Sequence, residues 1–118
     1  MKVLVTGGSG FIGSHVVDVL LRNNHKVLIY DLLKPSHNQY CEHVTADVND
    51  LPKLSEVSKG FDVIYHMAAE ANVNKFYDNP LISNYNTSTS TLNVLECARK
   101  NILAGCCFHQ LNGYTAAL

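Results

Sequence analysis

Short apolar runs alternate with amphipathic stretches along the chain. Residues 2–6 (KVLVT) are rich in β-branched side chains and are followed at once by glycines, which is typical of a buried parallel strand. Residues 26–31 (KVLIYD) predict a second buried strand that ends on an acid. Between them, a helix is predicted over 11–24, with the Asn23-Asn24 pair as its stop. Its apolar residues recur at helical spacing: Ile12, Val16, Val17, Leu20 and Leu21.

The same alternation continues through the rest of the chain. A short third strand is predicted at 43–47 and a short helix at 51–60, closed by Gly60. A fourth strand follows at 61–69, and 80–101 predicts one long helix. Strands alternating with helices are the signature of an α/β fold with a parallel sheet, here of about four strands with flanking helices.

A glycine-rich turn, TGGSGFIGSH, joins the first predicted strand to the first predicted helix. Gly7 allows a sharp turn out of the strand, Gly10 lets the backbone approach a pyrophosphate, and Gly13 permits close packing of helix on sheet. Phe11 and Ile12 open the helix, where unpaired N–H groups and a partial positive charge attract an anion. The alternative is a tight strand-to-helix turn that holds no ligand.

An acidic residue supports the ligand-binding alternative. Asp31 ends the second predicted strand, about 20 residues beyond the glycines, where a carboxylate can accept hydrogen bonds from the ribose hydroxyls of adenosine. A carboxylate there would repel a 2′-phosphate, so the pattern favours NAD over NADP. The alternative for Asp31 is a solvated acid at the end of a strand.

Composition limits the other classes of function. The chain has 118 residues, 47% of them hydrophobic and 16% charged, which suits one globular domain at most. Its formal net charge of −1 gives no electrostatic reason to expect nucleic acid or an anionic membrane as partner. No segment has the length of a membrane span and the start lacks the apolar region of a signal peptide, so we expect a cytoplasmic protein.

Cysteine and histidine residues give weaker signals. The four cysteines lack the paired spacing of a metal site, and a metal role for Cys106, Cys107 and His109 is disfavoured because adjacent cysteines do not supply separated ligands. We therefore expect reduced thiols and no bound metal. His66 lies in an apolar strand, where a lone histidine is more often a packed core residue than a catalyst.

Four spaced motifs together resemble a known family. TGGSGFIGSH, YDLL, ADVND and VIYHMAA occur in the order found in the extended short-chain dehydrogenase/reductase family, the NAD-dependent epimerases and dehydratases of nucleotide sugars. Residues 66–101 are most similar to the UDP-glucose 4-epimerase and nucleotide-sugar dehydratase branches. The resemblance covers residues 1–101 and implies a truncated Rossmann-type, doubly wound parallel sheet that binds NAD.

The resemblance also assigns further cofactor contacts. It implies that Asp47 and Val48 lie against the adenine, and that Ala68 and Ala69 line the nicotinamide side. One departure concerns the helix after the fourth strand, which reads NVxGT in the family. Here Thr87 and Ser90 stand at the Asn and Gly positions of that pattern; alternatively, Asn86 supplies the Asn if the alignment shifts by one residue. Either case puts in doubt the helix-kinking contact that the Asn implies.

The catalytic residues of the family are not found where the family places them. Its members use a Ser or Thr after the next strand and then a YxxxK segment, whose lysine lowers the pKa of the tyrosine so that it can act as a base. Tyr114 is followed four residues later by Leu118 rather than by lysine. We expect catalytic incompetence of the chain alone, because none of the other tyrosines is placed to serve: Tyr30, Tyr40, Tyr65, Tyr77 and Tyr85.

The tail contains a trace of the missing segment. After 101 the family continues with a strand and then FSSxxxVYG, whereas this chain reads FHQLNGYTAAL. In a shifted reading frame, each new codon takes the third base of one residue's codon and the first two bases of the next residue's codon. Codons that encode this tail can then be read as FSSTEWVYG. We hypothesise that 102–118 is an out-of-frame ending, produced by a frameshift near 102–104, with a native but diverged terminus as the alternative.

Three functional interpretations follow from the sequence. The first is the NAD-binding portion of a nucleotide-sugar epimerase or dehydratase, with the nucleotide sugar bound only in an intact relative. The second is a small non-enzymatic dinucleotide-binding module, or a subunit completed by another chain. The third is an inactive fragment whose fourth strand is an exposed sheet edge, open to self-association.

Overall fold

A parallel sheet of five strands forms the centre of the fold in a computed structural model that describes residues 1–70, 72–101 and 105–108. Its spatial order is β3-β2-β1-β4-β5, and every neighbouring pair is parallel. The carboxyl ends of the strands therefore lie at one edge, and the chain reverses its direction of winding between β1 and β4. The strands are β1 (Lys2–Thr6), β2 (Lys26–Asp31), β3 (Glu42–Thr45), β4 (Val63–His66) and β5 (Gly105–Phe108).

Helices lie between most successive strands, whereas residues 32–41 join β2 to β3 without a helix. Between β1 and β2 lies α1 (Phe11–Arg22), and between β3 and β4 lies α2 (Leu51–Val57). Three helices precede β5, and a π-helical turn (Tyr85–Thr89) joins the last two: α3 (Val73–Asp78), α4 (Pro80–Asn84) and α5 (Ser90–Asn101). Within the described ranges, no helix is long and apolar enough to cross a membrane.

The structure confirms the predicted α/β class with a parallel sheet, and it adds a strand at one side. Gly105–Phe108 pairs with β4 in the register Val63↔Gly105 to His66↔Phe108. The expectation that the fourth strand is an exposed edge is therefore wrong, because β5 covers it. This strand was missed because its four residues fall in the segment assigned to an out-of-frame tail.

The long helix predicted over 80–101 is interrupted. The Ser90 hydroxyl donates to the carbonyl oxygens of Asn86 and Thr87, at 2.8 and 2.9 Å, and the Thr91 hydroxyl donates to that of Thr87 at 2.8 Å. Hydroxyl groups that bond backwards in this way compete with the helical ladder and accompany local distortions such as a π-helical turn. Apolar periodicity does not contain that information, so the pattern predicted one continuous helix.

Both faces of the sheet are buried, as predicted for its first strands. Side chains alternate along β1, so that Leu4 contacts the face covered by α2 and α5 while Val3 and Val5 contact the face covered by α1. The first face is packed with Leu4, Tyr30, Val48, Leu54, Ile64, Val94 and Cys97. The second is packed with Val3, Val5, Val17, Leu20, Val27, Ile29 and Cys41.

Helix α1 packs closely on the sheet because Gly13 has no side chain. A Cβ atom at Gly13 would collide with the carbonyl oxygen of Gly7. This oxygen belongs to the backbone of the turn after β1, so it cannot move aside like a flexible side chain. The position of α1 therefore depends on glycine at this residue.

Replacing Gly13 by alanine is expected to destabilise the fold by about 3 kcal/mol, because helix and turn must separate. Gly60→Ala is the control: Gly60 has a positive φ of +79°, unlike the helical Gly13, but nothing lies within 4 Å of an added Cβ. Its expected cost is about 1 kcal/mol of backbone strain. Urea denaturation gives both free energies of unfolding, and equal losses would contradict the role assigned to Gly13.

Candidate functional site

A cleft of about 310 Å³ lies at the carboxyl edge of the sheet, beside the ends of β1, β2 and β4. Its walls come from five segments: the turn after β1, the end of β2 with the loop behind it, the loop between β3 and α2, the loop after β4, and the helix around the π-helical turn. Ligands of open α/β sheets bind at this edge, where the winding direction reverses. All five walls belong to described parts of this chain.

The turn after β1 forms the floor of the cleft. Gly7 has φ +70°, and a Cβ there would lie 2.5 Å from the backbone nitrogen of Ala68. Gly10 caps α1, whose first turn carries no acidic residue. The N–H groups of a first helical turn lack partners within the helix and favour an anion. This end of the cleft is therefore suited to a phosphate group.

Asp31 is held in a fixed orientation at the end of β2. The Ser9 backbone N–H donates to its Oδ2 at 3.0 Å, and the Leu33 backbone N–H donates to its Oδ1 at 3.0 Å. The Ser9 hydroxyl also donates to the Leu33 carbonyl oxygen at 2.8 Å. A carboxylate has about four lone-pair sites, so Asp31 keeps capacity to accept from hydroxyl groups in the cleft.

The loop between β3 and α2 forms a second wall, and side chains from β2 and α5 hold it in place. The Tyr30 hydroxyl donates to the Asp47 carbonyl oxygen at 3.1 Å, and the Asn93 side-chain amide donates to the Val48 carbonyl oxygen at 3.0 Å. Burial, with smaller effects of the Asp50 and Asp47 carboxylates, raises the pKa of Tyr30 to about 12. The hydroxyl therefore stays protonated and able to donate at neutral pH.

The loop after β4 forms the wall opposite. Ala68 lies against Gly7, and the Glu70 backbone N–H donates to the Thr87 hydroxyl at 3.3 Å. Lys75 Nζ lies 3.2 Å from the Glu70 carboxylate. Of the residues that the sequence left open, Thr87 accepts this hydrogen bond from Glu70, while Asn86 Oδ1 accepts one from the Asn49 side-chain amide at 3.3 Å.

Most of the predicted cofactor residues line the cleft. Seven of them do so: Gly7, Gly10, Asp31, Asp47, Val48, Ala68 and Ala69. Gly13 lies beneath the turn, and the side chains of Phe11 and Ile12 are 83% and 44% exposed. What Phe11 and Ile12 can contribute is therefore the backbone of the first helical turn.

Other cleft residues were missed in the sequence. Ser9 lies inside the glycine motif and could have been found there, since its N–H is part of the turn. Asn86 and Ser90 reach the cleft through the π-helical turn, which no spacing rule indicates. The complete set of missed lining residues is Ser9, Tyr30, Leu32, Leu33, Ala46, Asn49, Met67, Glu70, Asn86 and Ser90.

One tyrosine and one lysine do have the YxxxK spacing, namely Tyr30 and Lys34. Tyr30 is a buried residue of a strand, and its hydroxyl donates to backbone rather than facing a reacting group. This pair therefore does not supply the catalytic base of the family. Tyr114, His109 and the side chains of Cys106 and Cys107 lie outside the described residues.

Comparison with known proteins identifies the class of this fold and site. Residues 3–112 match the model of the NAD dependent epimerase/dehydratase family. A putative UDP-glucose 4-epimerase of Methanocaldococcus jannaschii is 41% identical over 103 residues, covering 83% of this chain and 34% of the relative. The chain belongs to the NAD dependent epimerase/dehydratase family.

Solved structures agree with this assignment. The UDP-glucose 4-epimerase of Thermotoga maritima, solved with UDP-glucose, has a TM-score of 0.86 and 30% identity over 92% of this chain and 37% of its own. The enzyme of Brucella ovis, solved with NAD, has a TM-score of 0.84 and 28% identity over 91% and 34%. The chain spans about a third of the length of these relatives.

His66 is a buried residue at the end of β4, as expected for a lone histidine in an apolar strand. It is 4% exposed, and burial lowers its pKa to about 4. In the unfolded chain the pKa returns to about 6.5. The unfolded state therefore binds more protons between these values, and stability is lost as pH falls through that window.

Acidification from pH 7 to pH 4 is expected to remove on the order of 3 kcal/mol of stability through His66. Urea denaturation across this range should show a weaker pH dependence in His66→Gln, which has no group to titrate there. His43→Gln, at an exposed residue of β3, should keep the wild-type slope. A full wild-type slope in His66→Gln would show that other groups cause the acid sensitivity.

Proposed function

We propose that this chain is the NAD-binding portion of a nucleotide-sugar epimerase or dehydratase and performs no sugar conversion alone. The observation that carries the proposal is the Asp31 carboxylate, held by Ser9 and Leu33 beside a glycine turn at the start of α1. A fixed acid next to an anion-binding helix terminus suits the ribose and pyrophosphate of a dinucleotide. The solved relative from Brucella ovis contains NAD.

Each part of the dinucleotide has a matching wall. The backbone of Gly10, Phe11 and Ile12 would hold the pyrophosphate, with Gly7 and Gly13 allowing its approach, and Asp31 would hold the adenosine ribose. Asp47 and Val48 would lie against the adenine, and Ala68 and Ala69 would line the nicotinamide side. When bound, NAD supplies reversible acceptance of a hydride from a sugar carbon.

Among the residues that line the described cleft, none is a suitable base, which supports incompetence of the chain alone. General-base catalysis on a sugar hydroxyl needs a tyrosine whose oxygen reaches the reacting group. Tyr30 is the one tyrosine among the residues lining the described cleft, and its hydroxyl is committed to Asp47. We propose that the base, the serine or threonine and the sugar contacts belong to an intact relative, about three times as long.

We also propose that residues 102–118 are an out-of-frame ending of such a gene. The match between a shifted frame and FSSxxxVYG supports this origin. Sequencing of the gene should reveal a shifted frame that continues into YxxxK, and a shifted frame that stops without that segment would refute it.

Purified protein is expected to bind NAD at least about tenfold more tightly than NADP, because Asp31 repels a 2′-phosphate. Asp31→Asn should reduce this preference by about tenfold, because it lowers the affinity for NAD and removes the repulsion of the 2′-phosphate of NADP. The matched control is Asp62→Asn, at the opposite edge of the sheet, where an amide oxygen can still accept from the Lys2 N–H. Titration calorimetry measures all the affinities, and equal preference in wild type and Asp31→Asn would contradict the assignment.

Incubation of the chain with NAD and UDP-glucose is expected to yield no other sugar nucleotide. Chromatography of the nucleotide sugars over hours, with an intact UDP-glucose 4-epimerase as positive control, provides the measurement. Turnover by this chain alone would refute its incompetence while leaving NAD binding in place.

A further inference from the structure

We propose that His66 is a positioning residue, the centre of a directional hydrogen-bond chain that fixes the cleft wall after β4 against the π-helical turn. The chain runs from the Ala68 N–H through Thr6, His66 and Thr91 to the Thr87 carbonyl oxygen. Its effect on a cofactor rests on the proposed function, whereas its geometry does not.

The direction of the chain follows from its Thr91 end. Thr91 Oγ1 lies 2.8 Å from the Thr87 carbonyl oxygen, which can only accept, so the threonine hydroxyl donates its single hydrogen there. The same oxygen lies 3.3 Å from His66 Nε2. It must accept from that nitrogen, so Nε2 carries the hydrogen.

The Thr6 end completes the assignment. In a neutral imidazole protonated at Nε2, the other ring nitrogen is an acceptor. Thr6 Oγ1 lies 2.6 Å from His66 Nδ1 and therefore donates to it. The Thr6 oxygen then accepts from the Ala68 N–H, at the longer distance of 3.5 Å. Every hydrogen along this hydrogen-bond chain points the same way, from the loop after β4 toward the π-helical turn.

Burial makes this polarity costly to change. Thr6 is fully buried and His66 is 4% exposed, so water cannot readily replace a broken bond. A histidine protonated on both nitrogens would donate at both ends and would force the Thr6 hydroxyl to turn away from Nδ1. The neutral tautomer is thus the form that connects both threonines.

A second contact ties the same loop to the same residue. The Glu70 N–H donates to the Thr87 hydroxyl at 3.3 Å, while the chain through His66 ends on the Thr87 carbonyl oxygen. Ala69 lies between these two attachment points and lines the cleft. Its position is therefore set by Thr87, through one direct bond and one relayed bond.

This arrangement supports only one half of the cleft. Asp31 is oriented by Ser9 and Leu33, and the loop at Asp47 is held by Tyr30, none of which takes part in the chain through His66. Breaking the chain should therefore weaken binding at the Ala68–Ala69 wall and spare the adenosine end. NAD and ADP-ribose, which lacks the nicotinamide, separate these two effects.

The first experiment reads the tautomer in the whole chain. Nitrogen-15 NMR of the imidazole at pH 7 should show His66 protonated at Nε2 and unprotonated at Nδ1. A hydrogen on Nδ1, or on both nitrogens, would overturn the chain as assigned.

The second experiment interrupts the hydrogen-bond chain at Thr91, a residue that does not line the cleft. Thr91→Val preserves shape but removes the hydroxyl, and it should lower NAD affinity by about tenfold while changing ADP-ribose affinity less than about twofold. Thr91→Ser keeps the hydroxyl and should restore NAD affinity. Ser88→Ala removes an exposed hydroxyl of the π-helical turn that donates to the Asn84 side chain one turn earlier, and it serves as the control.

The outcomes separate this proposal from the proposed function. Equal weakening of NAD and ADP-ribose by Thr91→Val, or no weakening of either, would overturn the positioning role. If the wild-type protein binds neither compound, the proposed function fails and the NMR measurement decides alone: an Nε2 hydrogen supports the chain through His66, and an Nδ1 hydrogen refutes it.

Discussion

The close approach of backbone to backbone at Gly7 is the constraint on which the cleft depends. A side chain on Gly7 would meet Ala68, and a side chain on Gly13 would meet Gly7. The turn after β1, the start of α1 and the loop after β4 therefore converge only because two glycines leave room. This convergence places a helix N-terminus, the fixed carboxylate of Asp31 and the loop after β4 around one space, so the arrangement of the cleft follows from a steric condition.

Predictions from the sequence succeeded where structure is decided locally. The strand, turn and helix at 2–22 are specified by neighbouring residues, and Asp31 follows directly from the strand it ends. Prediction failed where the local structure is determined by residues that are distant in the sequence. Nothing near His66 in the sequence indicates Thr6, which lies 60 residues away, and the periodicity of 80–101 does not show that hydroxyl groups bond backwards to the helix. Gly105–Phe108 forms a strand because the edge of β4 is available for pairing, and the four residues of Gly105–Phe108 alone do not predict this.

Helix α5 connects the two halves of the cleft. Asn93 holds the loop at Val48, and Thr91, two residues earlier, connects His66 to the Thr87 carbonyl oxygen. The wall at Asp47 and Val48 and the wall after β4 thus share one support, although they contact it through different side chains. Asn86 of the π-helical turn and Ser90, the first residue of α5, also line the cleft. A shift of α5 would consequently move both walls together, whereas a single side-chain change moves one.

The division of the core into two faces gives the molecule a pair of internal reporters. Cys41 is buried among the residues packed with α1, and Cys97 among those packed with α2 and α5. Burial raises the pKa of each thiol, and Cys41 also donates to the Val27 carbonyl oxygen at 3.4 Å. A thiol must be exposed and ionised before it reacts with an alkylating reagent, so each of these cysteines reacts only when its own side of the sheet opens. The separate labelling rates of Cys41 and Cys97 therefore distinguish detachment of α1 from detachment of the helices on the opposite face.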